Sequence, residues 1–203
     1  MTNTWVLDGV REVEAEPQRI VGLFPAAGRA VGREPVDPVS DPLGLVHGTA
    51  DDRARERLVQ ALLAALPPHD AARMLGELYH FGDDAERRGV LRGLNAAPHL
   101  ADTVVTTGLE LVADALRTND PRLVAAALGS FSGRHIDQHG WRHGVLKAVF
   151  MGVPLAAVSD VERRSDAELA RMAAALIAER RAAHRDISDD IARLAAATTR
   201  PGG

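Results

Sequence analysis

A histidine-rich segment is the part of this sequence with the clearest potential for chemistry. His135, His139 and His143 follow one another at spacings of four residues. Residues four apart in an α-helix lie about 40° apart around its axis, so the three imidazoles would form one ridge if the whole segment were helical. Leu146 and Phe150 extend this ridge onto an apolar face. We therefore expect the imidazoles to face the interior of the protein.

Asp137 allows a second arrangement of the same segment. Aspartate is a preferred N-cap residue, because its carboxylate accepts a hydrogen bond from a free backbone N–H group in the first turn of a helix. If a helix begins after Asp137, only His139 and His143 lie on it, one turn apart. Both arrangements place an imidazole pair close to Arg142 and Lys147 in the sequence.

Three roles are open for these histidines. Imidazole titrates near neutral pH, so a pair that lines a pocket could act as acid and base. Two imidazoles spaced by four on a helix could instead bind a divalent metal ion together with a carboxylate from elsewhere. They could also be hydrogen-bonded packing residues. A zinc-peptidase helix is disfavoured, because Gly140, Trp141 and Arg142 occupy the places where such a helix carries its glutamate.

The pocket interpretation leads to a set of candidate site residues. We predict catalytic roles for His139, His143 and Asp137, without a resident metal or other cofactor. One histidine would act as the base, and Arg142 or Lys147 would stabilise developing negative charge. The residues predicted to contact a substrate are His135, Trp141, Arg142, Lys147, Arg117 and Phe150.

Composition narrows the classes of protein that the chain can represent. It has 203 residues, of which 46% are hydrophobic and 26% charged, as in ordinary globular proteins. The net charge of −4 gives no general attraction to phosphate backbones, so a dedicated nucleic-acid-binding protein is disfavoured. The absence of cysteine excludes disulfides, thiolate nucleophiles and cysteine-ligated metal sites.

The pattern of residues is helical along almost the whole chain. Ala, Leu, Arg and Glu dominate, and alternating β-branched residues are rare. Capping motifs at Asp83–Glu86, Asn119–Pro121 and Ser165–Glu168 mark three helix starts. Helices are predicted at residues 17–31, 51–66, 69–80, 84–96, 100–117, 121–130, 138–151, 165–184 and 188–197. We predict an all-α fold of antiparallel helix pairs, arranged as a compact HEAT-like α-solenoid or as a helical bundle.

Two stretches are predicted to be non-helical. Residues 33–49 are rich in proline and glycine and are predicted to form one extended loop. Residues 198–203 have the composition of a frayed end. The segment before the loop is too short for a core of its own, so we predict a single domain over residues 1–203.

Neither a secretory signal nor a membrane span is visible in the sequence. Residues 1–10 lack a basic region followed by an apolar run. The longest apolar stretch, at 145–158, is interrupted by Lys147, Gly152 and Pro154 and is too short to cross a bilayer. We therefore predict a cytoplasmic protein that is not inserted into a membrane.

A series of short motifs occurs in order along residues 24–190. They are GRAVGREP at 28–35, GDDAERRGVL at 82–91, RTN at 117–119, WRHGVLKAVF at 141–150 and a closing helical motif at 165–185. Together they resemble the signatures of the EboA family of bacterial metabolite-traffic proteins. In this comparison, His135 and Asp137 keep the family's residues.

The chain also departs from the family pattern at polar positions. The departures are GSF in place of NPY at 129–131, Arg142 and His143 in place of Asn-Gln, and Arg181 and His184 in place of Trp and Gly. The apolar positions are retained. This combination is expected of a conserved fold with an altered pocket.

The resemblance implies a helical, solenoid-like protein of operons for specialised, isoprenoid-like or aromatic metabolites. The main hypothesis is that the chain binds a small, largely apolar metabolite between its helices. It would catalyse a cofactor-free isomerisation, cyclisation or elimination, or act only as a carrier. The alternatives are a metal-dependent enzyme that uses His139 and His143, and a scaffold that recruits a pathway enzyme or a second copy of itself.

Overall fold

The computed structural model of the protein describes residues 3–196, and helices account for most of them. Within this range there are twelve α-helices and no β-strand. None of the described helices is both long enough and apolar enough to cross a membrane. The predicted frayed end at 198–203 lies outside the described residues. The helices are α1 (Thr4–Ala15), α2 (Ile20–Val31), α3 (Ala50–Ala65), α4 (Pro68–His80), α5 (Asp84–Ala96), α6 (Asp102–Ala115), α7 (Pro121–Ala127), α8 (Ser130–His135), α9 (Gln138–Phe150), α10 (Val161–Arg164), α11 (Ala167–Ala182) and α12 (Asp189–Ala196).

Alternate helices lie side by side along much of the chain. Helix α3 has its most extensive contacts with α5 and then with α1, while α4 packs mainly on α6 and α5 also packs on α7. Each of these helices thus contacts the helix two positions further along the sequence, as in an α-solenoid. At the C-terminal end, α11 and α12 pack mainly on each other. The predicted all-α fold is confirmed.

The three predicted helix starts are also observed, although in the Ser165–Glu168 motif the cap is Asp166 and the helix begins at Ala167. Asp83, Asp120 and Asp166 are the N-caps of α5, α7 and α11, and each carboxylate accepts a hydrogen bond from a backbone N–H two or three residues later. These contacts satisfy donors that the helix itself leaves free. They fix where α5, α7 and α11 begin.

The predicted helix at 121–130 is wrong, because the structure contains two helices there. Helix α7 ends at Ala127, and α8 begins at Ser130. Asn95 of α5 stabilises the break with both ends of its side-chain amide: Nδ2 donates to the carbonyl of Ala126 (2.8 Å), and Oδ1 accepts from the N–H of Phe131 (2.9 Å). A residue distant in sequence therefore satisfies the groups that a continuous helix would have paired internally.

The N-terminal helix α1 was not expected from the sequence, and the helix predicted at 17–31 begins with a 3₁₀ turn at Pro17–Arg19. Helix α1 buries Val6 and Val13 against the rest of the protein. Valine is a moderate helix former, so tertiary packing on α3 contributes much of the stability of this helix.

Residues 33–49 form the predicted extended loop, which is fixed to α5 by a dense set of hydrogen bonds. The guanidinium group of Arg92 donates to the carbonyls of residues 44–46 at 2.9–3.1 Å. The buried carboxylate of Asp41 accepts from the backbone N–H groups of residues 45–47 at 2.7–2.9 Å. The side chain of Leu45 is buried in the hydrophobic core that surrounds Trp141 of α9.

Candidate functional site

A groove of about 730 Å³ lies between the C-terminal half of α6, the turn from α8 to α9, and α9 itself. Six of its lining residues are apolar or glycine, and four are polar. The apolar part is formed by Leu109, Ala113, Leu116, Ile136, Gly140 and Gly144. The polar part is formed by His135, Asp137, His143 and Lys147. We refer to this feature as the groove.

Asp137 determines how the histidine segment is arranged beside the groove. Its Oδ1 atom accepts a hydrogen bond from the N–H of Gly140 at 2.6 Å and caps α9. His135 therefore ends α8, and the ridge of three histidines on one helix is wrong. The second arrangement is the observed one: the rings of His139 and His143 lie one turn apart, with centroids separated by 4.4 Å.

The expected inward orientation of the imidazoles is wrong for the pair on α9. His139 and His143 are exposed, whereas His135 is half-buried. The physical reason is that α9 turns Trp141 and Val145 toward the core, and the histidines stand on other faces of the helix. His143 nevertheless reaches the groove and lines it.

Two of the polar side chains in the groove have distinct electrostatic environments. Burial, together with the nearby charge of Arg134, lowers the pKa of His135, whose ring also contacts Phe131 at a centroid distance of 4.9 Å. This shift favours the neutral form of the His135 ring. Lys147 is half-buried, and its side chain has no hydrogen bond or ion pair within residues 3–196.

Sequence reasoning missed the apolar part of the groove. Leu109, Ala113 and Leu116 come from α6, which carries no conspicuous motif. Gly140 and Gly144, one turn apart on α9, were the available signal. A Cβ atom at Gly144 would lie 2.7 Å from Cδ2 of Leu128, so the glycine lets α9 approach the end of α7 closely.

Trp141 lies in the core rather than in the groove. Its side chain is fully buried, and its Nε1–H donates to the carbonyl of Ser159 at 3.3 Å. The guanidinium of Arg164 stands 5.1 Å from the ring centroid. Trp141 thus anchors α9 to the core on the side away from the groove. It does not line the groove, where it was predicted to contact a substrate.

Arg142 is engaged in an ion pair with the cap of α11. Its Nη2 atom lies 2.5 Å from Oδ2 of Asp166. Hydrogen bonding from Arg142 lowers the pKa of Asp166 to about 2. Arg142 does not line the groove, and its charge is already paired, so its role is to join α9 to α11.

The remaining predicted site residues also lie outside the groove. Arg117 is 72% exposed and pairs with Asp114 at 2.9 Å. Phe150 is 51% exposed and lies beside the guanidinium of Arg180. The structure therefore brings four of the predicted residues together in the groove. They are His135, Asp137, His143 and Lys147.

A second polar cluster, which the sequence analysis did not detect, is buried between α3 and α5. Asp51 pairs with Arg55 at 2.5 Å, and Asp52 pairs with Arg88 at 2.7 Å. Arg92 lies 3.8 Å from Asp52 and links these charges to loop 33–49. We call these five residues the ionic cluster.

Both carboxylates of the ionic cluster are paired with guanidinium groups of the same cluster. Burial opposes ionisation of Asp51, but hydrogen bonds from Thr49 and Arg55 outweigh it and lower the pKa of this carboxyl group. The Nε–H of Arg55 also donates to the carbonyl of Phe24 in α2 at 3.0 Å. Because both carboxylates are paired with guanidinium groups, and because the cluster ties three helices and a loop together, we assign it a structural role.

The geometry bears on the metal interpretation of the histidine pair. In the part of the chain that the structure describes, no three His, Asp or Glu side chains are grouped so that they could hold a metal ion. His139 and His143 therefore lack the carboxylate ligand that this interpretation requires. The pair remains available for proton transfer or for hydrogen bonding.

Comparison with known proteins agrees with the helical fold and the motif order. The family model of the metabolite traffic protein EboA matches residues 46–196 of the chain. The GRAVGREP motif at 28–35 lies outside this match. No curated protein and no solved structure matches the sequence. Because the match covers most of the chain and includes both α6 and α9, the chain belongs to the EboA family.

Proposed function

We propose that the protein binds a small, largely apolar metabolite in the groove and serves metabolite traffic in a bacterial specialised-metabolite pathway. The observation that carries this proposal is the division of the groove into apolar and polar parts. Leu109, Leu116 and Ile136 would contact the body of the ligand, and His143 and Lys147 would contact its polar group. The protein would act in the cytoplasm, as a single domain and without a cofactor.

The apolar part of the groove would supply most of the affinity. Burying one Leu-sized group stabilises a complex by roughly 1.5–3 kcal/mol, so an isoprenoid-like or aromatic body gains several such contributions. The polar side chains would fix the orientation of the ligand. An open groove also allows the ligand to leave, which suits a carrier that passes a metabolite to an enzyme.

Blocking the groove tests the proposal directly. Ala113 is exposed on α6 and lines the groove, so Ala113→Trp fills it without disturbing the core. We expect the affinity for the apolar dye Nile red, measured by fluorescence titration, to fall about tenfold or more. Ala175→Trp, at an exposed position of α11, is the matched control and should bind as wild type. Equal affinities for all three proteins would contradict the proposal.

A second function, acid–base catalysis, is favoured by the contact between the two α9 histidines. His143 lines the groove, and His139 is exposed, with its ring centroid 4.4 Å from that of His143 and the two rings tilted by 57°. His143 would exchange a proton with the bound metabolite, and His139 would pass that proton to solvent. Such catalysis would support an isomerisation, cyclisation or elimination.

Alanine substitutions separate the enzyme from the carrier. We expect His143→Ala to lower turnover of a pathway intermediate by about a hundredfold or more, which is the usual contribution of a positioned acid or base. His139→Ala should have a smaller effect, because solvent can replace an exposed relay. Unchanged turnover in both variants would remove the catalytic proposal, and binding without turnover would leave the carrier.

A further inference from the structure

Lys147 is unusual among the cationic residues of this protein. The sequence contains 24 lysine and arginine residues, and every one except Lys147 is arginine. The one lysine lines the groove and is half-buried there. A composition that favours arginine so strongly makes lysine at this position an exception, and its chemistry should explain why.

Arginine and lysine differ most in their ability to act as nucleophiles. The guanidinium group stays protonated in proteins and binds carboxylates and phosphates through two parallel hydrogen bonds. A lysine amine can lose its proton and attack a carbonyl carbon. If the groove had only to hold an anion, an arginine would serve better. The lysine points to a carbonyl compound.

The surroundings of Lys147 are consistent with an available amine. The cations near the other end of α9 are occupied: Arg142 pairs with Asp166, and Arg164 donates to the carbonyls at the end of α8. The side chain of Lys147 has no such partner within the described residues. His143 and Gly144 line the groove beside Lys147. Gly144 carries no side chain that could cover the amine.

We propose that Lys147 forms a reversible imine with the aldehyde or ketone group of an apolar metabolite. This inference rests on the proposed function, because the same groove would bind the body of the ligand. In the step, the neutral amine attacks the carbonyl carbon, and a C–N bond forms. The nitrogen loses a proton and the carbonyl oxygen gains one, with His143 as the proton carrier. A second proton then passes from the nitrogen to the hydroxyl group, again through His143, as the C–O bond breaks, so that water leaves and the C=N bond forms.

The step needs no oxidant and no further reactant, since its only other product is water. Hydrolysis by water reverses it and releases the carbonyl compound unchanged. Covalent capture would hold a reactive aldehyde in the groove, where it cannot react with other amines. It would thus suit a protein that carries such a compound between two reactions.

Reductive trapping tests the proposal, and the sequence makes the result simple to interpret. The purified protein is incubated with octanal and sodium cyanoborohydride, and labelling is followed by intact-mass and peptide mass spectrometry. Besides Lys147, the chain offers only its α-amino group as a primary amine. We expect Lys147 to be labelled about tenfold faster than the α-amino group, because the alkyl chain is held by the apolar lining.

Three comparisons accompany the trapping experiment. Lys147→Arg keeps the charge and should show labelling of the α-amino group alone. Glycolaldehyde, which has no apolar body, should show no preference for Lys147. His143→Ala should slow the labelling of Lys147 by roughly tenfold or more, because proton transfer to the leaving oxygen is lost.

The outcomes distinguish failure of this inference from failure of the proposed function. If Lys147 is labelled no faster than the α-amino group while Ala113→Trp still weakens binding of Nile red, the imine is refuted and the binding groove stands. If the preference for Lys147 survives in Ala113→Trp, or is equal for octanal and glycolaldehyde, the groove does not select the ligand and the inference fails.

Discussion

The two polar regions of this protein use similar side chains in opposite ways. In the ionic cluster of α3 and α5, carboxylates and guanidinium groups are buried and paired with one another. In the groove between α6 and α9, Lys147 and His143 line an open surface with an apolar base, and the side chain of Lys147 is unpaired within residues 3–196. The ionic cluster contains more charged groups, whereas the groove contains polar groups that are available to a ligand.

This difference shows why charge density alone is a poor guide to function. A buried ion pair loses the hydration of both partners, so it is retained only where partners compensate each other. Charged groups that are paired in this way have few hydrogen bonds available for a ligand. An unpaired amine beside an apolar wall has a weaker structural role and can respond to a bound molecule. The following experiments test whether stability and binding separate in this way.

The largest loss of stability is expected from Asp52→Ala in the ionic cluster. This substitution leaves the buried charges of Arg88 and Arg92 without their carboxylate, and breaking a buried pair costs roughly 3–5 kcal/mol. Urea unfolding measures the change. Asp8→Ala breaks the exposed pair with Arg11 and, as the control, should cost about 1 kcal/mol or less. Similar values for both variants would contradict the distinction between the two regions.

A smaller loss is expected where the cluster holds loop 33–49. Arg92→Met removes the hydrogen bonds to the carbonyls of residues 44–46, and hydrogen bonds to a charged group contribute roughly 1.5–3 kcal/mol. We expect faster hydrogen exchange at the backbone amides of Leu45 and Val46. Lys147→Met, in the groove, should leave exchange at these amides unchanged. Equal protection in both variants would mean that Arg92 does not fix the loop.

A pH-dependent effect of about 1 kcal/mol or less is expected from Asp166→Asn. The pKa of Asp166 falls from 3.8 to about 2 in the folded protein, so its charge stabilises the fold above pH 4 and this contribution is lost as the pH falls toward 2. The side chain is 36% exposed, and solvent screening keeps the effect small. Asparagine can still cap α11, so the substitution measures the effect of the charge separately from that of the cap. A stability difference independent of pH would contradict this account.

The smallest effects on stability are expected in the groove and at the exposed His139 beside it. His139→Ala and Lys147→Met remove side chains that are not packed in the core, so each should change the free energy of unfolding by about 0.5 kcal/mol or less. Thermal unfolding in the absence of ligand measures this. A loss as large as that of Asp52→Ala would show that the groove is a structural region like the ionic cluster.

Local features of the fold could be predicted from the sequence. The N-caps at Asp83, Asp120 and Asp137 depend on the residue and the few positions that follow it, and so does the non-helical loop 33–49. Helix α1 was missed because its valines have only moderate helix propensity, and it depends on packing against α3.

Features that join distant residues could not be predicted. Arg88 and Asp52 are 36 residues apart, and nothing near either of them identifies the other as its partner. Only one side of the groove could be predicted. His143 and Lys147 are conspicuous in the sequence of α9, but the residues of α6 that face them, such as Leu109, occur in a pattern common to apolar helices. The orientation of Trp141 toward the core also depended on a neighbouring layer of helices.

Leu45 has a consequence for how the protein melts. Stacked-helix proteins are held together mainly by neighbouring units, and their ends can come apart one after another. Leu45 adds a contact between units that are not neighbours. Its backbone belongs to loop 33–49, which is anchored on α5, and its side chain is buried in the core around α9, α11 and α12. This contact couples the N-terminal helices to the C-terminal ones, because their separation would expose the side chain of Leu45 to water.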